Sequence, residues 1–434
     1  MGKGKKYCCK CLCIFFVRKG GRAIFSLLYG KTAISLTFPA DRSPDILTYP
    51  SGPRPDRELC ITEALAHPIA SLPLSELAKS RRDAVILISD ISRLCPSYLF
   101  LPALIDQLNA GGIDDSRIRI VVALGLHRKQ TEEELRQLTG ETVYKRVRVV
   151  NHSALSEDCI PVGTTSQGTP VEINRTVAGA DLLIATGNVE PHALAGLSGG
   201  VKALMPGTAS HRSIECNHAL SLTYKTVPGQ TANPIHRDME EAQQFVPIHF
   251  LFNVVVDHER RILAAACGQP AAAHRVLSEL AGKAFISTAA KKYDITIVSA
   301  GGYPKDTQLY QALKALKNAA AVTKPGGEIV LAAECGEMLG NGIFQYWVDT
   351  MPNRAYMVAR LQKQFVVGAH KILHIDEVLR QHKVHLYSSM GEAAVRLLGF
   401  EPVAELQAAY DRLTADRSKS IALMPYGSLT FTQG

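Results

Sequence analysis

The segment EPHALAGLSGGVKALMPGTASHRSIECNH, Glu190 to His218, puts His192, Lys202 and His218 on one short run of backbone, with Gly199-Gly200 just ahead of the lysine. Imidazole is the side chain whose ordinary pKa allows proton transfer near neutrality, and it is a common metal ligand. A Gly-Gly turn tolerates positive φ and lets backbone approach a ligand where a Cβ would clash. Its N–H groups can form a nest for an anion such as phosphate. The spacing matches neither a G-x-x-x-x-G-K-[ST] loop nor a G-x-G-x-x-G fingerprint. Further along the same lines stand Asp90 with Arg93, His127 with Arg128, and His152. Residue type alone leaves two readings open. In one, His127, His192 and His218 bind zinc for hydrolysis. In the other, two histidines flank a substrate as acid and base while the third holds a metal or cofactor.

These residues need a scaffold, and the surrounding pattern predicts one. DAVILISD (83–90) reads as a buried strand, SYLFLPALIDQLNA as the helix after it, and RIRIVVALGLH as a second strand. TEEELRQLTG predicts a helix with Thr131 as N-cap, Glu134 completing a capping box and Gly140 at the stop. RVRVVNH and ADLLIATGNVEPH give two more strands, and an Ala-rich helical stretch is expected near 262–284. The pattern restarts with DITIVSAGGYP, a helix in TQLYQALKALKNAAAVT, a turn and strand in KPGGEIVLAAECGEM, and IALMPYG near the end. Strands alternating with helices predict two α/β domains with mostly parallel sheets and a cleft between them. The expected boundaries are an extension over 1–26 outside the fold, an N-terminal domain over 27–280 and a helical linker over 281–293. A C-terminal domain follows over 294–434, its end returning to the first. Asp90, His127, His152 and His192 all fall at carboxyl ends of predicted strands, the edge where open α/β sheets bind ligands. There is no internal repeat.

Composition narrows the function classes. The chain has 434 residues, 46% hydrophobic and 20% charged, an ordinary globular balance with room for two cores. Seven of its 48 basic residues fall in the first 22 positions, which hold no acid, leaving 41 basic against 40 acidic residues in the rest. A near-neutral body carries no footprint for nucleic acid. The tail also holds Cys8, Cys9, Cys11 and Cys13, spaced too tightly for a paired C-x-x-C zinc site. Lys10 interrupts its apolar run, which argues against a signal peptide, and Lys6 stands where a myristoylation signal has Ser or Thr. Acylated cysteines are the membrane-binding alternative to a plain extension. The other cysteines are scattered singly, so a reducing cytoplasm without disulfides is expected. No apolar run is long enough to span a membrane.

Five separated motifs, read together, resemble the nickel-dependent lactate racemase family over roughly residues 27–425. They are D-x-x-R (Asp90, Arg93), G-x-H-R-x-x-T-x-x-E (Gly125 to Glu134), and E-P-H with A-G-x-S-G-G-x-K and P-G (Glu190 to Gly207). The last two are N-H (Asn217, His218) and G-G-Y-P-x-D with Y-Q-A-x-K (Gly301 to Lys314). The resemblance implies racemisation or epimerisation of a 2-hydroxy acid by hydride transfer to a nickel pincer nucleotide, a pyridinium-3-thioamide-5-thiocarboxylate mononucleotide. It implies that Lys202 is the covalent tether and His218 the nickel ligand. His127 and His192 would be the acid/base pair. Asp90, Gly199, Gly200 and Lys314 would contact the cofactor, and Arg93, Gln311 and Lys314 the substrate. It also implies cofactor-biosynthesis proteins as partners in maturation. Where the family commonly has Pro-Thr-Pro after D-x-x-R, this chain has Leu94-Cys95-Pro96, expected near the substrate. Trp347 is a further candidate for lining the cleft. A structural role is expected for His152, and none in the site for His211. A non-catalytic sensor of hydroxy acids or nucleotides is the alternative from another class, and a sensor needs no lysine tether.

Overall fold

A computed structural model describes residues 17–19, 22–49, 55–230, 232–288 and 291–433. The clustered cysteines and lysines of residues 1–16 lie outside the described residues. The described chain opens with an antiparallel meander, β1 (Val17–Lys19), β2 (Arg22–Tyr29) and β3 (Thr32–Pro39), followed by a short strand β4 (Asp45–Ile46).

The first large sheet contains β5 (Ala84–Ser89), β6 (Ile118–Ala123), β7 (Arg148–Asn151), β8 (Leu182–Asn188), β9 (Phe250–Val256) and β10 (Ile262–Gly268). Their order is β10-β9-β8-β5-β6-β7, parallel except for β10. The unbroken apolar run of β5 follows from this place at the centre. Ala84, Ile86 and Ile88 point into one core with Phe100 and Leu104, while Val85 and Leu87 point into the opposite core with Val121 and Leu183. Burying one such side chain contributes about 1.5–3 kcal/mol. Helices α1 (Ser97–Ala110), α2 (Glu132–Thr139), α3 (His211–Ala219) and α4 (Pro270–Phe285) belong to this half. The capping box of α2 is present: the Glu134 N–H donates to Thr131 Oγ1 and the Thr131 N–H to Glu134 Oε2.

The chain then passes through β11 (Ile286–Thr288) into a second sheet built on β12 (Tyr293–Ser299). Helix α5 (Leu309–Val322) leads to β13 (Thr323–Ala332), and α6 (Lys371–Leu379) to β14 (Lys383–Tyr387). β15 (Glu401–Val403), β16 (Ile421–Met424) and β17 (Phe431–Gln433) complete the path. The order β15-β14-β13-β12-β16-β4 is parallel throughout.

Three expected boundaries are corrected. Residues 1–26 are not wholly outside the fold, because β2 begins at Arg22 and buries Ala23 and Phe25. This hairpin packs on the second sheet, against Ile295, Ile297, Val330 and Leu423, so the N-terminal segment serves the C-terminal half. Second, the Ala-rich stretch is helical only from Pro270. Ile262–Gly268 pairs antiparallel with β9, and Gly268 at φ 121° ends the strand before Gln269 caps α4. Third, the expected helical linker over 281–293 is helix only through Phe285. Ile286–Thr288 pairs in parallel with Phe431–Gln433, and Tyr426, Leu429 and Phe431 enter the core of the first half. Among the described residues no helix is long and apolar enough to cross a membrane.

Candidate active site

The strand order of the first sheet reverses between β5 and β8, and a crevice opens beyond their carboxyl ends. A cavity of about 1670 Å³, counting its open mouth, lies there with walls from both halves. Asp90 follows β5 and is buried, and the loop after β6 brings His127 to it, with Nδ1 3.1 Å from Asp90 Oδ2. Burial alone would raise the Asp90 carboxyl. The charges of His127 and Arg93, with hydrogen bonds from His127 and Ser92, hold it instead well below the usual range. Arg93 Nε lies 3.8 Å from the same carboxylate oxygen. The other ring nitrogen of His127 is 3.3 Å from the Gln311 side-chain nitrogen, which reaches across from α5. An ionised carboxylate accepts the Nδ1 proton, so Nε2 holds a lone pair and receives the Gln311 amide hydrogen.

His192 sits on the short ladder Pro191–His192 against Gly196–Leu197. Its Nδ1 accepts from the N–H groups of Leu194 and Ala195, both at 3.1 Å. Burial first, then the charges of Lys202, Lys314, Arg93 and Lys371, hold this imidazole neutral, well below its usual pKa. Two residues earlier, buried Glu190 pairs with buried Lys305 of the second half at 3.1 Å. Lys202 follows the Gly-Gly turn. Burial, then Arg93, lowers its amine from the usual 10.5 to about 7. The turn is not an open anion nest, since the Gly200 N–H donates to Asn253 Oδ1 at 2.7 Å. What the glycines allow is close packing. A Cβ on Gly199 (φ 75°) would meet Asn253 Oδ1 at 2.6 Å, and one on Gly200 (φ 57°) would meet His274 Cδ2 at 2.9 Å. Gly199 lines the cleft, whereas Gly200 faces His274.

His218 rises from the last turn of α3 into the same cleft. Its buried Nδ1 has no hydrogen-bond partner of ordinary geometry. Burial, then Lys202 and Lys371, pull its pKa down to about 3. His127, His192 and His218 share the cleft without converging. Among the described residues no three His, Cys, Asp or Glu side chains are placed to hold a metal ion, which removes the support for a three-histidine zinc site. His152 lies outside the cleft, buried with Nε2 3.0 Å from the Ala209 carbonyl, and burial lowers its pKa to about 4. His211 is likewise not part of the lining.

Two expectations fail here. Leu94 and Cys95 are buried in the core of the first half, not in the cleft, because the chain turns inward ahead of α1. Trp347 is buried beneath Arg360, 5.4 Å from its ring, and does not line the cleft. Reading the sequence also missed much of the second wall: Tyr310, Lys317, Phe365, His370, Lys371 and His374. The available signal was helical spacing, with Lys314 and Lys317, and Lys371 and His374, each three apart on otherwise apolar helices.

A two-domain α/β framework with imidazoles, carboxylates and an excess of cations gathered in one interdomain cleft defines an enzyme. Residues 29–228 match the lactate racemase N-terminal domain and residues 288–427 the lactate racemase C-terminal domain. The chain belongs to the lactate racemase family, and it is accordingly an isomerase. A lactate racemase of Thermoanaerobacterium thermosaccharolyticum is 36% identical over 330 residues, which cover 74% of this chain and 76% of that protein. A lactate racemase of Lactiplantibacillus plantarum is 36% identical over 277 residues, 63% of this chain and 65% of that protein. The lactate racemase apoprotein structure from T. thermosaccharolyticum superposes with a TM-score of 0.85 at 30% identity, covering 95% of this chain and all of that one. A Thermotoga maritima structure shares the fold at a TM-score of 0.69 and 18% identity, covering 89% of this chain and all of that one.

Proposed function

We propose that this enzyme racemises lactate or a related 2-hydroxy acid with a tethered nickel pincer nucleotide, His127 and His192 being its acid/base pair. The observation that carries the reading is the meeting of Lys202, His218, His127, His192 and Arg93 on one cleft. The residues fit the group on two counts. Lys202, with its amine near pKa 7, offers a neutral nitrogen that can be acylated. His218 offers a buried, neutral imidazole that lines the cleft, and imidazole beside sulfur donors suits a late first-row metal. When bound, the group supplies the hydride acceptor that no protein side chain provides.

The hydrogen beside a hydroxyl and a carboxylate is a very poor acid, so loss of hydride with the hydroxyl proton, giving a keto acid, is the easier route. Arg93 pairs with the substrate carboxylate, in the bidentate geometry open to a guanidinium, and Lys314 adds a second cation. Burial, then Arg93 and Lys305, keeps the Lys314 amine well below its usual pKa, so an arriving carboxylate restores its charge. Nε2 of His127 takes the hydroxyl proton of one enantiomer, and Asp90 stabilises the imidazolium that results. His192 serves the opposite face. The Leu194 and Ala195 N–H groups fix its ring and leave the hydrogen on Nε2, so the ring presents an N–H donor to the substrate oxygen on that face. Each relay contributes about 10²–10⁴ in rate. The singly placed free cysteines fit a cytoplasmic enzyme.

Purified from a host that makes the cofactor, the protein should contain near-stoichiometric nickel, carry a covalent mass addition on Lys202, and interconvert 2-hydroxy acid enantiomers on a chiral column. An unmodified Lys202 in such a preparation overturns the reading. So does solvent deuterium entering the stereocentre at every turnover.

A further inference from the structure

Not every cation in the cleft is used by a monocarboxylate and a lysine tether. Arg93, Lys202, Lys314, Lys317 and Lys371 all line it, against the carboxylates of Asp90 and Glu190. Both carboxylates are engaged, Asp90 with His127 and Arg93, and Glu190 with Lys305. With Arg93 and Lys314 assigned to one substrate carboxylate and Lys202 to the tether, Lys317 and Lys371 remain.

Lys371 is the more informative. Its side-chain amine makes no hydrogen bond or ion pair with any described residue, and Nζ stands 4.5 Å from the centre of the Tyr310 ring. Lys317 has an exposed partner, Glu377 at 3.6 Å, a contact of little strength. The two lysines come from α5 and α6, which pack against each other, so the surplus charge is concentrated between two rigid helices. An unpartnered cation partly removed from water is unfavourable unless an anion joins it. Burial, then Lys317 and Arg93, lowers the Lys371 amine to about 7, the cost expected of a charge still waiting for its counter-ion.

Position separates this lysine from the proton relay by one aromatic ring. Tyr310 lies with its ring centre 6.5 Å from His127 on one side and 6.1 Å from His370 on another, while Lys371 covers its face. The charge of Lys371 also weighs on His192 and His218. Lys371 follows His370, whose ring centre stands 6.4 Å from that of His218, so it lies on the side of the cleft that holds the metal-ligand and proton-relay candidates and where a substrate would sit. We propose that Lys371, with Lys317 beside it, forms a second anion subsite, and that the preferred substrate is a short 2-hydroxy acid with a second carboxylate.

This inference rests on the racemase reading, and its test separates the two. Calorimetric titration of the full-length chain would use succinate and propionate, which lack the reacting hydroxyl. Succinate should bind about tenfold more tightly than propionate or better. Lys371→Met should remove that preference, and Lys371→Arg should keep it. In cofactor-loaded enzyme, kcat/KM should be higher for malate than for lactate, and Lys371→Met should lower that ratio about tenfold through KM. Equal binding of succinate and propionate by the wild type overturns the subsite, as does a malate-to-lactate ratio that Lys371→Met leaves unmoved. If Lys371→Met instead prevents the mass addition on Lys202 while the succinate preference survives, the lysine serves the nucleotide phosphate and the proposal falls. Loss of the succinate preference in Lys371→Met, in a protein that racemises no hydroxy acid, sustains the subsite and overturns the racemase reading alone.

Discussion

His127 and His192 look into one cleft from loops that follow different strands, and their ring nitrogens meet opposite surroundings. At His127 a carboxylate held ionised stands 3.1 Å from Nδ1, and an amide donor from the other half of the molecule meets Nε2. At His192 two backbone N–H groups occupy Nδ1, so the neutral ring carries its hydrogen on Nε2. Four basic side chains around it, together with burial, resist a second proton. The two imidazoles are thus not mirror copies. His127 is arranged to gain a proton and be stabilised as a cation, whereas His192 rests as a neutral N–H donor.

The largest effects should come from the rings themselves. His127→Ala and His192→Ala should each cost about 10²–10⁴ in kcat, with nickel retained, as read by chiral chromatography and metal analysis. Glutamine variants sharpen the contrast, because an amide can imitate a neutral donor and cannot store a proton. His192→Gln should retain at least about tenfold more activity than His127→Gln; equal losses would break the comparison. Next in size is the ion pair anchoring the His192 loop. Glu190→Gln leaves Lys305 charged and buried, and denaturant unfolding should show a loss of about 3–5 kcal/mol. Asp90→Asn should lower kcat about 10²-fold and leave KM nearly unchanged, since it removes support from His127 only once that ring is protonated.

The smallest effect is a slope. Lys202 and Lys371 titrate near pH 7 in the folded chain, against a usual value of 10.5. Between those values the unfolded chain binds more protons, so stability rises with pH across that window and levels off below it. Urea midpoints of cofactor-free protein from pH 6 to 10 should climb, and Lys371→Met should climb less steeply and start higher.

The parts of this arrangement legible in the sequence were those set by local rules. The β5 run, the Thr131–Glu134 capping box and the strand-end positions of Asp90 and His127 each depend on a few neighbouring residues. Ile262–Gly268 was misread because alanine favours helix, while pairing with β9 is a long-range fact that overrides propensity. The expected N-terminal domain takes in residues 27–39, whose strands pack instead on the second sheet for a similar reason, their partners lying hundreds of residues away. Lys371 and His374 went unseen because basic groups on an amphipathic helix ordinarily face solvent. Only the packing of α5 on α6 turns them into the cleft.

The bond between Gln311 and His127 crosses from one half of the molecule to the other. The proton acceptor is therefore dressed on one side by its own domain and on the other by a visitor. Before that ring can take a proton from a substrate hydroxyl, the amide must yield the lone pair it now caps. The base is thus kept covered from the far wall until the molecule it acts on takes the amide's place.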